Sequence, residues 1–158
     1  MIRKFEKEYR WLSNFYPCAL RFRGQRFESV EYAYMSAKSD DKAWKQLCFD
    51  AVEKPSKIKK LSQHLELVPN WDTIKLGVMR ECLELKFAQE PFRTWLLETG
   101  GAHIQEGNGW GDTFWGVDVE TNQGENHLGR LIMEIREELK EASIPSQIEA
   151  TKPNSGPD

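Results

Sequence analysis

The chain has 158 residues, of which 39% are hydrophobic and 30% charged, and its formal net charge at pH 7 is −3. A chain of this length forms one domain that buries roughly 70% of the surface its unfolded form exposes. The slight acidic excess argues against sequence-independent binding to duplex DNA or to an anionic membrane, so we expect no membrane partner.

The cysteines and the N-terminal segment indicate a cytoplasmic protein. Cys18, Cys48 and Cys82 have unrelated spacings, so we expect reduced, partly buried thiols. The first residues, MIRKFEKEYRW, lack the apolar run of a secretory signal. The three histidines lie far apart, and the sequence contains no Walker loop, HExxH or GxGxxG motif. We therefore expect neither a metal nor a cofactor.

The first elements in chain order are a β-hairpin and a helix. Residues 19–23 and 26–29 place apolar side chains at alternating positions on either side of a glycine-containing turn. This pattern is typical of a small hairpin. Ser29 can then accept a hydrogen bond at the start of a helix, which we expect to extend to about Lys38.

The central part of the chain predicts three further helices. Asp40 or Asp41 can start the first of them, and Pro55 opens a basic segment of helical character, SKIKKLSQHL. The next helix has the clearest pattern, because its apolar residues recur every three or four positions. Its predicted buried face consists of Trp71, Ile74, Val78, Cys82 and Leu85.

Two helices separated by a glycine-rich loop are predicted for the last part. The shorter one begins at Pro91 and ends at Gly100, and it directs Phe92, Trp95 and Leu96 inward. The final helix has five apolar residues on a single stripe. These residues are Leu128, Leu131, Ile132, Ile135 and Leu139.

Together these elements predict a mainly helical α+β fold with a small β-hairpin. We expect one compact domain over residues 1–142. Residues 143–158 contain three prolines, three serines and a glycine with few large apolar groups. Such a composition does not offset the entropy cost of ordering, so we expect these residues to form a disordered tail.

The glycine-rich loop over residues 106–116, EGNGWGDTFWG, is the most informative stretch of the sequence. Its four glycines indicate backbone bends or close approach of the backbone to a ligand. Trp110 and Trp115 offer flat apolar faces, and Asp112 between them is an acid, base or hydrogen-bond acceptor. The loop therefore predicts a pocket for a ring, and the alternative is a tight turn whose tryptophans cap the core.

A second candidate acid lies at the start of the first predicted helix. Glu31 stands beside Tyr32 and Tyr34, at the positive end of the helix dipole. Together with Asp112 it suits hydrolysis of a glycosidic bond, which needs negative charge near an oxocarbenium-like centre and a base for water. The alternative is that Glu31 only offsets the dipole. Trp71 is either a stacking partner for the ring or a core anchor.

Several motifs in order resemble those of the NADAR family, also called YbiA-like. They are WLSNFYP, VEYAYMSAK, PNWDTIKLGVMRECLELKF, EGNGWGDTFWGV and GENHLGRLIMEIREEL. The resemblance runs from about Phe5 to Leu139. It implies an N-glycosidase. Members that resemble this chain hydrolyse N-ribosyl bonds in phosphorylated riboflavin-pathway intermediates, whereas others remove ADP-ribose from guanine in nucleic acid.

The same resemblance implies roles for particular residues. It places the essential glutamate of the family on Glu31, its stacking tryptophan on Trp71 and its loop aspartate on Asp112 beside Trp115. It implies further contacts to sugar, ring or phosphate by Asn14, Phe15 and Lys38, and anion binding by Asn126, Gly129 and Arg130 at the start of the last helix.

The chain also departs from its relatives at several positions. Tyr32 stands where relatives usually have histidine, and a tyrosine can hydrogen-bond a substrate but carries no charge near neutral pH. Met35 replaces a common glutamine. The segment before Trp71 lacks basic residues that relatives have at Ser62-Gln63 and Val68, although a run of nearby lysines can compensate.

We therefore predict a metal-independent hydrolase that cleaves an N-glycosidic bond between a (phospho)ribose or ADP-ribose and a heterocyclic base or amine. Glu31 activates water or attacks the anomeric carbon directly, and Asp112 orients sugar hydroxyls or shares the acid–base role. The expected partner is a small ribosylated or ADP-ribosylated substrate, or alternatively ADP-ribosylated nucleic acid. Two other readings stay open: a non-catalytic module that binds ADP-ribose or NAD, and a structural domain with its tryptophans in the core.

Overall fold

A computed structural model describes residues 1–144, so residues 145–158 of the predicted tail lie outside the described residues. The described part contains a short antiparallel hairpin, a minimal parallel pair and six α-helices. The strands are β1 (Leu20–Phe22), β2 (Gln25–Phe27), β3 (Gly107–Asn108) and β4 (Val117–Asp118). The helices are α1 (Val30–Ser36), α2 (Lys42–Asp50), α3 (Pro55–Leu61), α4 (Trp71–Phe87), α5 (Phe92–Glu98) and α6 (His127–Ala142). The mainly helical α+β prediction is confirmed.

Short 3-10 segments add to these elements at Lys7–Leu12 and Ser62–His64. No pattern in the sequence indicated the first of them, which precedes Asn14. The N-terminal strand-like segment pairs through Ile2 with Ile104, just before the glycine-rich loop. This pairing places the N-terminal segment beside that loop. No helix within residues 1–144 is both long and apolar enough to cross a bilayer.

Local side-chain chemistry explains where the hairpin and the first two helices begin. The hairpin pairs Leu20 with Phe27, and its turn passes through a positive φ at Gly24, as the handedness of a tight hairpin turn requires. The Ser29 side chain accepts from the backbone N–H of Tyr32, and the Asp41 side chain accepts from that of Trp44. Such N-caps stabilise a helix by about 1 kcal/mol each. The three predicted element starts are confirmed.

Helix α4 lies at the centre of the fold and packs against α1, β1, α5 and α6. Trp71, Val78 and Cys82 are buried as predicted, but Ile74 is 41% exposed and Leu85 only half-buried. The prediction is wrong for Ile74, which lies on the solvent side of α4, while the adjacent Lys75 is half-buried with its ammonium 4.1 Å from the centroid of the Phe114 ring. A second buried row is formed by Met79, Leu83, Lys86 and Phe87, because α4 has neighbours on more than one side.

The remaining predicted faces are largely confirmed. Phe92 and Leu96 of α5 are buried and Trp95 is half-buried, while α6 buries Leu128, Ile132 and Ile135. Leu131 and Leu139 lie at the margin of this contact. Cys18, Cys48 and Cys82 are free and fully buried rather than partly buried.

One lysine lies inside the core. Lys86 of α4 is fully buried, with its ammonium 5.4 Å and 5.2 Å from the ring centroids of Phe87 and Phe92. Its Nζ donates a 3.0 Å hydrogen bond to the carbonyl of Ser13. Burial lowers the pKa of Lys86 to about 7, partly opposed by Cys18. This bond ties α4 to the segment that carries Asn14.

We expect Lys86→Met to flatten the pH dependence of stability. Because the folded-state pKa lies below the ordinary value of 10.5, the unfolded chain binds more protons at this group between about pH 7 and 10.5. The free energy of unfolding of the unsubstituted protein should therefore rise with pH above 7, by at most about 1.4 kcal/mol per pH unit from this group. Urea unfolding at several pH values tests this.

The exposed Lys42 supplies the control. Lys42→Met should keep the rise in stability between pH 7 and 9 that Lys86→Met loses. Identical pH profiles for the Lys86→Met variant and the unsubstituted protein would contradict the burial argument.

Candidate active site

A cavity of about 170 Å³ opens between the N-terminal segment, α1, α3 and the glycine-rich loop. Its wall combines acidic, basic and aromatic groups. The acidic residues are Glu6, Glu31, Glu106 and Asp112, the basic ones are Lys38 and Lys59, and the aromatic ones are Phe5, Phe15, Tyr34, Trp110 and Trp115. The two acids singled out from the sequence, Glu31 and Asp112, thus face one shared space.

Glu31 lies in the first turn of α1 and is 5% exposed. Its backbone N–H donates to the carbonyl of Asn14 at 3.1 Å, which joins the helix start to the neighbouring wall of the cavity. Burial raises the pKa of Glu31, whereas the ammonium groups of Lys59 and Lys38 lower it and Asp112 raises it slightly. The side chain is therefore a buried acid compensated by two nearby cations.

The two carboxylate oxygens of Asp112 have different surroundings. Its Oδ1 accepts from the backbone N–H groups of Phe114 at 3.2 Å and Trp115 at 3.0 Å. The Asn108 side chain brackets its peptide, donating to the Asp112 carbonyl at 2.8 Å and accepting from its N–H at 3.0 Å. One carboxylate oxygen is thus used to shape the loop, and Oδ2 is left for a ligand.

The loop glycines are required by geometry at particular positions. A Cβ at Gly116 would lie 1.8 Å from Oε2 of Glu106 and 2.1 Å from its carbonyl oxygen, and Gly111 has a φ of +82°. The bend inferred from composition is therefore present, whereas the close approach at Gly116 is to Glu106 of the same loop, and close approach to a ligand stays a prediction. At Gly109, by contrast, an added Cβ would meet nothing within 4 Å.

Glu106 is a cavity residue that the sequence analysis missed. Its Oε2 accepts from Nδ2 of Asn108 at 3.1 Å. Burial raises the pKa of Glu106 to about 7, the Asn108 hydrogen bond and Lys59 oppose this, and Asp112 and Glu31 add to it. No spacing in the sequence links Glu106 to Glu31, since they meet only through the tertiary fold. The missed Tyr34, by contrast, lies one helical turn after Glu31, and that spacing was a usable signal.

The aromatic residues form an inner layer and a rim. Tyr34 lines the cavity and contacts Trp115, with ring centroids 5.7 Å apart, and Trp71, with centroids 5.3 Å apart. Trp71 is 6% exposed and does not line the cavity, so it is placed as a core anchor behind Tyr34. Trp110 and Phe15, which are 68% and 40% exposed, present free faces at the mouth.

Three other sequence candidates do not line the cavity. Tyr32 follows Glu31 by about 100° around the helix, so it points elsewhere, and its hydroxyl donates to the carbonyl of Glu53 at 2.5 Å. Asn126 is used within the protein, since its Oδ1 accepts from the N–H of Glu106 and its Nδ2 donates to the carbonyl of Ile104. Arg130 is exposed on α6.

The cavity therefore brings together seven of the residues proposed from the sequence. They are Asn14, Phe15, Glu31, Lys38, Trp110, Asp112 and Trp115. Among residues 1–144, no three carboxylate, imidazole or thiol groups are clustered as they would be around a metal ion.

Comparisons with known proteins agree on one family. A sequence profile of the NADAR domain matches residues 2–140. A riboflavin biosynthesis protein of Vibrio vulnificus is 34% identical over 86% of this chain, but the match spans only 37% of that protein. An N-glycosidase of Nostoc punctiforme is 32% identical over 87% of this chain and 90% of its own length.

A solved structure agrees with these relatives. The NMR structure of the Escherichia coli protein YbiA has a TM-score of 0.78, with 27% identity, over 92% of this chain and 90% of that one. The two proteins thus share one fold, which in this protein is a single, mainly helical domain with two small sheets.

We expect Gly116→Ala to destabilise the protein, because its methyl group has to displace Glu106 or the adjoining backbone. Overpacking of this kind costs about 1–3 kcal/mol of unfolding free energy. Gly109→Ala in the same loop is the matched control and should change stability by less than about 0.5 kcal/mol. Urea unfolding measures both, and equal stability of the two variants would contradict the close packing at Gly116.

Proposed function

Because this chain belongs to the NADAR family, we propose that it is an N-glycosidase that hydrolyses the bond between a phosphorylated ribose and a nitrogen of a heterocycle. The class of enzyme agrees with the relatives named N-glycosidase. The observation that carries the proposal is that Glu31 and Asp112 line one cavity beneath exposed aromatic faces. That combination suits a substrate whose sugar lies inside the cavity and whose ring lies at the mouth of the cavity.

Glu31 supplies the base. Cleavage of an N-ribosyl bond develops positive charge at the anomeric carbon, and a carboxylate nearby stabilises it. Glu31 is held in place by the Asn14 carbonyl and is compensated by Lys59 and Lys38 without a direct ion pair to either one within residues 1–144. It accepts a proton from the attacking water as the water oxygen bonds to the sugar.

Asp112 and Asn14 bind the sugar. Oδ2 of Asp112 is the acceptor left over after the loop contacts of Oδ1. Oδ1 of Asn14 is buried without a hydrogen-bond partner among the described residues, and an unsatisfied buried acceptor costs about 1–3 kcal/mol. Ribose hydroxyls are donors of the right kind for both oxygens, and the enclosed Oδ1 of Asn14 accepts one once its side chain turns toward the cavity.

The rim holds the heterocycle. Trp71, to which the family resemblance assigns the stacking role, is enclosed behind Tyr34. Trp110 and Phe15 have the free faces that stacking needs. We therefore assign the ring contact in this chain to Trp110 and Phe15.

A small phosphorylated substrate fits this arrangement best. A volume of about 170 Å³ accommodates a ribose with its phosphate, and Lys38 and Lys59 on the wall supply positive charge for the phosphate. Relatives named riboflavin biosynthesis proteins favour a ribosylamino-pyrimidine phosphate of that pathway as the substrate. The exposed rim favours a second candidate, ADP-ribosylated guanine in nucleic acid, whose base would remain outside the cavity.

A paired assay tests the proposal. We expect release of ribose 5-phosphate from the ribosylamino-pyrimidine phosphate and slower or no release of ADP-ribose from ADP-ribosylated DNA. Glu31→Gln should keep the fold and substrate binding but lower kcat by roughly 10²- to 10⁴-fold, the usual contribution of a general base. Glu28→Gln, a substitution at an exposed glutamate three residues earlier, is the control and should keep full activity.

Full activity of the Glu31→Gln variant would defeat the assignment of the base. A sugar ester on Glu31, detected by mass spectrometry with a slow substrate analogue, would instead establish direct attack by the carboxylate. Release of ADP-ribose alone would transfer the proposal to the nucleic-acid substrate.

The two tryptophans should respond in opposite ways to truncation. Trp110→Ala should raise KM, because about 1–3 kcal/mol of stacking free energy is lost. Its stability should change little. Trp71→Ala should lower the unfolding free energy by about 3–5 kcal/mol, because it empties a core position. Steady-state kinetics and urea unfolding measure the two effects. An unchanged KM in the Trp110→Ala variant would remove the rim from the binding site.

A further inference from the structure

We propose that Glu106 is the general acid of this site and donates a proton to the leaving nitrogen as the N-glycosidic bond breaks. The inference rests on the N-glycosidase function proposed above. It goes beyond that function because neither the sequence motifs nor the relatives assign a role to Glu106. The geometry that points to it is a third carboxyl group on the wall that also carries Asp112, facing the cavity lined by Glu31.

The reaction needs such an acid. An amine or ring nitrogen that leaves with the bonding electrons is a poor leaving group unless it receives a proton in the transition state. Glu31 has the two cations beside it and serves as the base. Asp112 is committed as an acceptor of two backbone N–H groups through Oδ1. With Glu31 assigned as the base and Oδ2 of Asp112 assigned to the sugar hydroxyls, the proton donor has to be a third group.

Glu106 is arranged differently. Its Oε2 accepts from Asn108, so Oε1 is the oxygen left to carry a proton, and Oε1 has no hydrogen-bond partner among the described residues. Burial is the main cause that raises its pKa to about 7. The charged groups that face it are Asp112 of the loop, Glu31 of α1 and Lys59 of α3, with Glu6 and Lys38 on the same cavity wall.

The backbone around Glu106 is fixed on both sides. Its N–H donates to Oδ1 of Asn126 at 3.0 Å, and its carbonyl accepts from the N–H of Val117 at 2.9 Å. Gly116 lies so close that the carboxyl group rests against its backbone. Asn126 and Gly116, which lie outside the cavity, thus hold the backbone and the carboxyl group of Glu106 in place.

The positions of Glu31 and Glu106 fit a substrate bound between them. Both residues line the same cavity, Glu31 from α1 and Glu106 from the glycine-rich loop. Asn14, whose side chain is more than nine-tenths buried, also lines this cavity, and its Oδ1 is enclosed without a hydrogen-bond partner among the described residues. In the proposed complex the anomeric carbon lies between the wall of α1 and the wall of the glycine-rich loop, with the departing nitrogen toward Glu106.

The step balances with one water consumed. The bond between the anomeric carbon and nitrogen breaks, and its electron pair goes to the nitrogen, which takes the proton of Glu106. The water oxygen bonds to the anomeric carbon, and its proton goes to Glu31. Transfer of a proton from Glu31 to Glu106, directly or through solvent, restores both groups for the next cycle.

Two substrates with different leaving groups test this role. The first is the ribosylamino-pyrimidine phosphate, whose nitrogen needs a proton, and the second is 4-nitrophenyl riboside 5-phosphate, whose phenolate leaves without one. Glu106→Gln keeps the acceptor for Asn108 and should lower kcat on the first substrate by about 10²- to 10⁴-fold. Its kcat on the second should stay within a few-fold. Glu120→Gln, at an exposed site beyond the loop, is the control.

The pH profile gives a second readout. A general acid works in its protonated form, so kcat/KM of the unsubstituted protein on the first substrate should fall as pH rises through about 7. The residual activity of the Glu106→Gln variant should lack this fall. A structural role of Glu106 would leave the alkaline fall in place.

Each other outcome overturns the proposal. Equal losses on the two substrates would make Glu106 a positioning residue, and undiminished activity on both would exclude it from catalysis. An alkaline fall that persists in Glu106→Gln would assign the acid to another group. If the unsubstituted protein hydrolyses neither substrate, the proposed phosphoribosyl substrate is itself wrong, and the role of Glu106 on it fails as well.

Discussion

The burial of a carboxylate beside two lysines is the constraint around which this fold is organised. An ionised group taken out of water is costly unless opposite charge lies close. Glu31 on α1 is compensated by Lys59 from α3 and by Lys38 just after α1. Lys38 is held in turn by Oγ of Ser62, which donates to the carbonyl of Lys59. The contact between α1 and α3 is therefore an electrostatic requirement of the site.

This compensation also explains how the site can favour a transition state. The lysines oppose the effect of burial on Glu31 only in part, since its pKa remains raised. In the proposed reaction, positive charge that develops on the sugar supplies the rest of the compensation at the moment of bond cleavage. Groups that are fixed before the reaction and interact more strongly with the transition state than with the substrate are the ones that accelerate it.

The sequence predicted the local features well because each has a local cause. The caps at Ser29 and Asp41 and the hairpin turn at Gly24 depend on residues within a few positions of one another. The choice between Trp71 and Trp110 as the exposed aromatic could not be made in this way, because Tyr34 covers Trp71 only in the folded chain.

The same limit applies to the acids of the cavity. Glu31 and Asp112 stand out because aromatic residues and glycines surround them in the sequence. The distinctive property of Glu106 arises from burial near Asp112 and from a hydrogen bond to Asn108, and only the fold of the loop creates it. Residues whose chemistry is set by tertiary burial are the ones that sequence patterns fail to identify.

The positions at which this chain departs from the family pattern differ in whether they line the cavity. Tyr32, which motivated the reading of a non-catalytic module, points away from the cavity and is bound to the carbonyl of Glu53. A change from histidine to tyrosine at this position therefore leaves the acids untouched. Met35 does line the cavity, one turn after Glu31, and presents a thioether where the family resemblance implies an amide. An apolar wall binds different substrate groups from those that a hydrogen-bonding wall binds. The substrate preference of this chain should therefore diverge from that of its relatives because of Met35 rather than Tyr32.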